Sequence, residues 1–146
     1  ETMVLRDFME IQTPMVMEEI RHAIAVQKAL IQTPGFEPEQ FYRMDAQMHS
    51  LWFTAVKRQK LWDMLQAQQL HYTRFRMLDF ITETDFPRII GEHEQLFELI
   101  CKKDLSGLEQ VLKDHLYYSM KRMRHSIEVD YKDYFEEEPE ENRFVI

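Results

Sequence analysis

The apolar side chains of this chain recur three and four residues apart, which is the period of an amphipathic α-helix. Together with the residues that interrupt it, this pattern predicts helices over residues 4–13, 14–32, 38–57, 59–81, 87–103 and 105–131. Pro14, Pro38 and Pro87 each fall in a first turn, where the missing N–H does no harm, and Asp104 can cap the last helix. No strand-like alternation stands out. The sequence therefore predicts an all-α protein, an antiparallel bundle of six or so helices joined by short links.

The composition narrows the class of protein. The 146 residues suit one domain, which we place over residues 1–135, and the acidic residues 136–146 form a solvated tail. A net charge of −8 argues against direct binding of nucleic acid, since phosphate contacts need clustered Lys and Arg. A single cysteine excludes a disulfide framework. No apolar run approaches the ~20 residues that span a bilayer, so we expect no membrane partner and a cytoplasmic location.

Three of the predicted helices carry polar residues on their apolar faces. Asp45 and His49 lie four residues apart on the third helix and share a face with Trp52. By the same count, His93 on the fifth helix and His115 on the sixth point with their apolar neighbours. A buried polar group without a partner costs about 1–3 kcal/mol, and an isolated carboxylate costs more. Some interaction must therefore offset the free-energy cost of burying these side chains.

A divalent metal ion would satisfy all four side chains at once. Three imidazoles and one carboxylate suit zinc, and they also suit nickel, cobalt, manganese or iron if water molecules complete the shell. The alternative is a set of ordinary core histidines, one of which pairs directly with Asp45. The residue pattern alone leaves both interpretations open.

Among the remaining histidines, His71 points roughly 80–100° away from the apolar stripe of its predicted helix. His22 and His125 have no histidine partner one helical turn away. We expect all three at the surface, around the ligands or in an interface rather than as metal ligands.

The fourth predicted helix carries an arginine on its apolar stripe. Arg76 lies in one sector with Tyr72, and a guanidinium that never deprotonates needs an anion there. An internal carboxylate is one candidate, and a bound carboxylate ligand near the metal is the other. The second apolar side of this helix, with Leu70, Met77 and Ile81, is a candidate dimer face.

Several segments resemble the FCD domain family. The sequence Met44-Asp45-Ala46-Gln47-Met48-His49, followed by Ala55 and Leu61, is similar to the family's D-x-x-F-H…A…N-x-x-L segment. Glu92-His93, Asp104 and His115-Leu116 are similar to E-H-x-x-I…G-D…H-L, and Arg6 and Glu10 to the R-x-x-x-E opening. The resemblance extends from about residue 5 to 130.

This resemblance implies a fold, a site and a role. FCD domains are bundles of six or seven helices, and they form the effector-binding and dimerisation halves of FadR-type regulators in the GntR superfamily. Many hold a metal through one Asp and three His, which here correspond to Asp45, His49, His93 and His115. A small carboxylate effector, a sugar acid or another organic acid, binds beside the metal.

The position of Arg76 on an apolar stripe leads us to expect that Arg76 and Tyr72 orient the effector. The resemblance implies that two copies of the chain form a homodimer. Operator DNA would be bound through an amino-terminal winged helix-turn-helix domain, which is absent from this chain.

The chain also departs from the family pattern. Met48 replaces the usual Phe, Arg58 stands where Asn is common, and Lys103 replaces the Gly before Asp104. None of these changes affects the four candidate ligands.

Two other classes of function remain for such a sequence. A metal-dependent hydrolase or oxidase could use the same cluster, with Glu92 or Glu94 as a general base. We nevertheless expect that the protein is not an enzyme. An interaction module without a small ligand is the other class, and a purely structural metal is a further possibility.

Overall fold

The computed structural model describes residues 1–68 and 85–128. Its helices are α1 (Thr2–Ile11), α2 (Pro14–Leu30), α3 (Pro38–Ala55), α4 (Gln59–Gln68), α5 (Phe86–Lys102) and α6 (Leu105–Glu128). All regular secondary structure in these two ranges is helical. The prediction of an all-α helical bundle is thereby confirmed. Apart from the far ends of the fourth and sixth helices, which lie outside the described residues, the helix ends are within a few residues of those expected.

Some predictions fall outside the described residues. They concern the fourth helix beyond Gln68, with His71, Tyr72, Arg76 and the candidate dimer face, and the end of the sixth helix beyond Glu128. The side chain of His125 and the acidic tail also lie outside the described part of the chain.

Local chemistry explains where the helices begin. A proline occupies the first turn of α2, α3 and α5, as predicted. Thr13 accepts a hydrogen bond from the backbone N–H of Val16 and caps α2. Asp85 accepts one from Arg88 in the same way, and Asp104 accepts one from Gly107 at 3.0 Å. Short polar residues therefore cap α2, α5 and α6, whereas α3 begins after Glu37 without a side-chain cap.

The link between α5 and α6 is tight because Lys103 adopts the left-handed conformation, with φ 55° and ψ 34°. A side chain in this region costs about 1–2 kcal/mol, which is why glycine is common at such positions. The substitution of Lys for the family's Gly thus leaves the turn in place at an energetic cost.

The bundle is organised around α3, which packs against α1, α2 and α4, while α5 packs against α2 and α6. Among the residues that the structure describes, the following large apolar side chains are almost completely buried: Trp52, Phe8, Phe41, Phe53, Leu5, Ile20, Met48, Leu96, Ile100, Leu108 and Leu112. The buried polar residues of the same ranges are Gln27, Asp45, His49 and His93. The fold therefore places a polar centre inside an apolar core.

Among the described residues, no helix combines the length and the apolar character that crossing a bilayer requires.

Candidate metal centre

The four predicted ligands meet in the interior of the bundle. Asp45 and His49 lie on successive turns of α3, His93 lies in the middle of α5, and His115 lies on α6. Each offers one ligand atom, and these atoms all lie within 4.8 Å of one another. Asp45 is fully buried, His93 is 1% exposed and His49 is 4% exposed. The structure thus brings together side chains from three helices, and the cluster could bind a metal ion.

The separations within the cluster suit a small cation. Asp45 Oδ1 lies 3.2 Å from His93 Nε2 and 3.7 Å from His49 Nε2. His49 Nε2 lies 3.4 Å from His115 Nε2. Zinc bonds of about 2.0–2.1 Å in a tetrahedral site separate neighbouring ligand atoms by roughly 3.3–3.4 Å. These three separations are close to that value, and all four ligand atoms lie within 4.8 Å of one another, so a metal ion could bind among them.

A second set of side chains lies behind the imidazoles, that is, on the Nδ1 side of each ring, away from the other ligand atoms. The Nδ1 atom of each ring contacts a side-chain oxygen. The three pairs are His49 with Glu1 Oε1 at 2.7 Å, His93 with Gln27 Oε1 at 2.8 Å and His115 with Glu92 Oε2 at 2.9 Å. A proton on Nδ1 donates to that oxygen and leaves a lone pair on Nε2, which is the arrangement found behind metal-bound histidines. All three Nε2 atoms face the centre, and in this tautomer each can share its lone pair with a cation.

The two carboxylates behind His49 and His115 are held in the ionised form. Burial alone would raise the pKa of Glu1, but the charge of His49 and its hydrogen bond lower the pKa to about 2. Burial also opposes ionisation of Glu92, and hydrogen bonds from His115 and Arg88 nevertheless lower its pKa. Ionised carboxylates can only accept hydrogen bonds, so they keep a proton on Nδ1 of both histidines.

The third imidazole is kept neutral by its surroundings. Burial lowers the pKa of His93 to about 4, even though the neighbouring Asp45 favours the charged ring. His93 is therefore uncharged at neutral pH, and an uncharged imidazole is the form that binds a metal.

Glu92 links this centre to the surface of the bundle. Arg88 donates from Nε to Glu92 Oε1 at 2.8 Å, and its guanidinium lies 3.4 Å from the centre of the Tyr118 ring. The carboxylate behind His115 is thus held on both sides.

Sequence reasoning missed part of this arrangement. Glu1 precedes the first apolar repeat. The sequence marks Glu92 as part of the E-H segment and as a candidate general base, but not as the partner of His115. The burial of Gln27 could have been predicted from the sequence, because Gln27 follows Ile20 and Ile24 on the buried stripe of α2. His22 is exposed, as expected for a histidine outside the cluster.

Comparison with known proteins identifies one protein family that matches this chain. Neither the curated proteins nor the solved structures contain a significant match to this sequence. The family described as FCD domain matches residues 1–118, a range that contains all four side chains of the cluster and all three acceptors behind them. This match confirms the resemblance seen in the sequence. FCD domains are ligand-sensing domains of transcription regulators and are generally not enzymes. The chain therefore belongs to the FCD domain family.

Proposed function

We propose that Asp45, His49, His93 and His115 bind one divalent metal ion in the effector-sensing domain of a FadR-type regulator of the GntR superfamily. The observation that carries this proposal is the orientation of the three imidazoles. Each has its Nδ1 atom against an oxygen of another side chain and its Nε2 atom toward the other ligand atoms.

The facing ring nitrogens support a cation at the centre. Because carboxylates hold the protons on Nδ1 of His49 and His115, their Nε2 lone pairs point at each other across 3.4 Å. Two lone pairs repel at this distance unless a proton or a metal ion lies between them. A metal ion satisfies both nitrogens, together with Asp45 and His93, whereas one proton satisfies a single pair.

Charge and donor type favour a divalent ion. Asp45 and the two carboxylates behind His49 and His115 concentrate negative charge in a region of low dielectric, where a doubly charged ion offsets it. Zinc suits three nitrogens and one oxygen best, and nickel, cobalt, manganese or iron suit them with added water.

The effector in this proposal is a small carboxylate, such as a sugar acid or another organic acid. A bound metal with an open position supplies a Lewis-acid contact for a carboxylate oxygen, and Arg76 and Tyr72 orient the molecule. Effector binding changes how two protomers of a cytoplasmic homodimer present their DNA-binding domains to operator DNA. Such a response requires the effector to prefer one of two arrangements.

The two candidate general bases of the enzyme alternative have other partners. Glu92 is held by Arg88 and by the Nδ1 side of His115, which faces away from the ligand cluster. Glu94 is exposed and pairs with Lys28 at 2.8 Å. This arrangement supports a sensor rather than a hydrolase or an oxidase.

Elemental analysis tests the metal. We expect one equivalent of metal in the wild-type protein, a strong loss in His49→Ala and in His93→Ala, and full retention in the exposed control His22→Ala. Full retention of metal in both ligand variants would rule out these ligands.

Thermal shift measurements then test the effector. A panel of small carboxylic acids is added to the metal-loaded protein, and we expect at least one acid to raise the midpoint without being consumed. The same acid should stabilise Arg76→Ala much less. Conversion of an acid into product would favour the enzyme alternative instead.

A further inference from the structure

The acceptor behind His93 differs in kind from the other two. Glu1 and Glu92 are carboxylates, which only accept hydrogen bonds when ionised. Gln27 is an amide, with an acceptor oxygen on one side and an NH2 donor on the other. A half rotation of the amide exchanges these two groups with almost no change in shape.

One orientation of the amide suits a metal-bound centre. Gln27 Oε1 then accepts from Nδ1 of His93 at 2.8 Å, and the Nε2 lone pair of His93 is directed into the cluster, 3.2 Å from Asp45 Oδ1. Gln27 is fully buried, and among the described residues its NH2 group has no hydrogen-bond partner. Without a cation, this orientation leaves a lone pair facing a carboxylate oxygen.

The opposite orientation suits a metal-free centre. The NH2 group of Gln27 then donates to Nδ1 of His93, and the ring proton is on Nε2. Nε2 lies 3.2 Å from Asp45 Oδ1, so this proton is on the side of the carboxylate. The hydrogen bond between the amide and the ring is kept, and a polar hydrogen rather than a lone pair faces the carboxylate. His49 and His115 lack this alternative, because the carboxylates behind them cannot donate.

We propose that Gln27 is a positioning residue that turns its amide when metal binds and thereby selects the tautomer of His93. The ring proton is on Nε2 in the metal-free protein and on Nδ1 in the metal-bound protein, so His93 gains and loses no net proton. This inference rests on the proposed metal binding. In this inference, Gln27 gives His93, the most buried histidine of the cluster, a favourable tautomer both with and without the ion.

The tautomers can be observed directly by NMR. Long-range proton–nitrogen correlations of the imidazole rings, recorded on the wild-type protein without metal and with one equivalent of zinc, show which ring nitrogen carries a proton. We expect the proton of His93 to be on Nε2 without zinc and on Nδ1 with zinc. His49 and His115 should keep a proton on Nδ1 in both states.

Two outcomes separate this inference from the proposed function. If zinc changes no ring-nitrogen signal, metal binding itself fails. If zinc shifts the Nε2 signals of all three histidines while His93 keeps its proton on Nδ1 throughout, metal binding stands and the role of Gln27 is overturned.

A matched pair of variants tests whether the amide of Gln27 controls the tautomer of His93. Gln27→Glu replaces the donor with a second acceptor, so we expect His93 to carry its proton on Nδ1 even without zinc. Gln47→Glu makes the same change at an exposed position of α3, and there His93 should behave as in the wild type. A proton found only on Nε2 of His93 in metal-free Gln27→Glu would contradict the proposal.

Discussion

Two regions of the interior are equally buried and are stabilised in opposite ways. Ile100 and Asp45 both have no exposed surface, and Ile100 lies two turns from His93 on the same helix. Burial of an aliphatic side chain such as Ile100 contributes about 1.5–3 kcal/mol. Burial of a carboxylate costs free energy that only partners recover. The apolar region therefore supports the fold by burial alone, whereas the free energy of the polar centre depends on the partners of its buried groups.

The largest effect on zinc binding should follow from removing the carboxylate of the centre. Asp45→Asn keeps the shape of the side chain and removes its charge, so we expect zinc affinity to fall by more than the roughly 10–100-fold typical of changes behind the ligands. At 100 times its Kd, zinc stabilises the wild-type protein by about 2.7 kcal/mol. Thermal unfolding with and without zinc measures this gain, which should disappear in the variant. An unchanged gain would place the metal elsewhere.

The apolar region should show the reverse behaviour. Ile100→Ala leaves a cavity and should lower the free energy of unfolding by about 2–5 kcal/mol, measured by urea denaturation. Zinc binding to the folded variant should remain within a few-fold of the wild type, because the ligands are unchanged. Ile100→Val, at about 0.5–1.5 kcal/mol, provides a milder variant. A large loss of zinc affinity in either folded variant would mean that the two regions are not independent.

Acid should weaken the polar centre of the metal-free protein by a smaller amount. The folded-state pKa of His93, about 4, lies below its unfolded value of 6.5, so the unfolded chain takes up a proton first as the pH falls through this window. From pH 7 to pH 5, we expect a loss on the order of 1–2 kcal/mol. Glu1, with a pKa of about 2 against 4.5, adds a loss below pH 4.5.

Urea denaturation at pH 7 and pH 5 in the presence of a chelator measures this change. His93→Gln should flatten the pH dependence, while the exposed control His22→Gln should retain it. Equal pH dependence in both variants would contradict the assignment to His93.

The sequence contained enough information to predict the fold and the convergence of the four candidate ligand side chains. Helix starts follow from prolines and from caps such as Asp104, which are local signals. The spacing of Asp45 and His49 on one buried face is also local. Placement of His93 and His115 on apolar stripes then directed them to the same interior.

The acceptors behind the histidines depend on contacts that no local pattern encodes. Glu1 and His49 are 48 residues apart, and Gln27 and His93 are 66 residues apart. Their pairing follows from the rotation and offset of packed helices, which periodicity does not determine. Gln27 occupies an apolar position of its stripe, so its burial was predictable, but its partner was not.

These long separations have a consequence for the order of folding. Only Asp45 and His49 can approach each other within a single helix, and two ligands bind an ion weakly. The complete set forms only after α3, α5 and α6 have docked, with α1 and α2 in place behind them. The ion would therefore bind late, to an almost complete bundle, and it should slow unfolding much more than it accelerates folding.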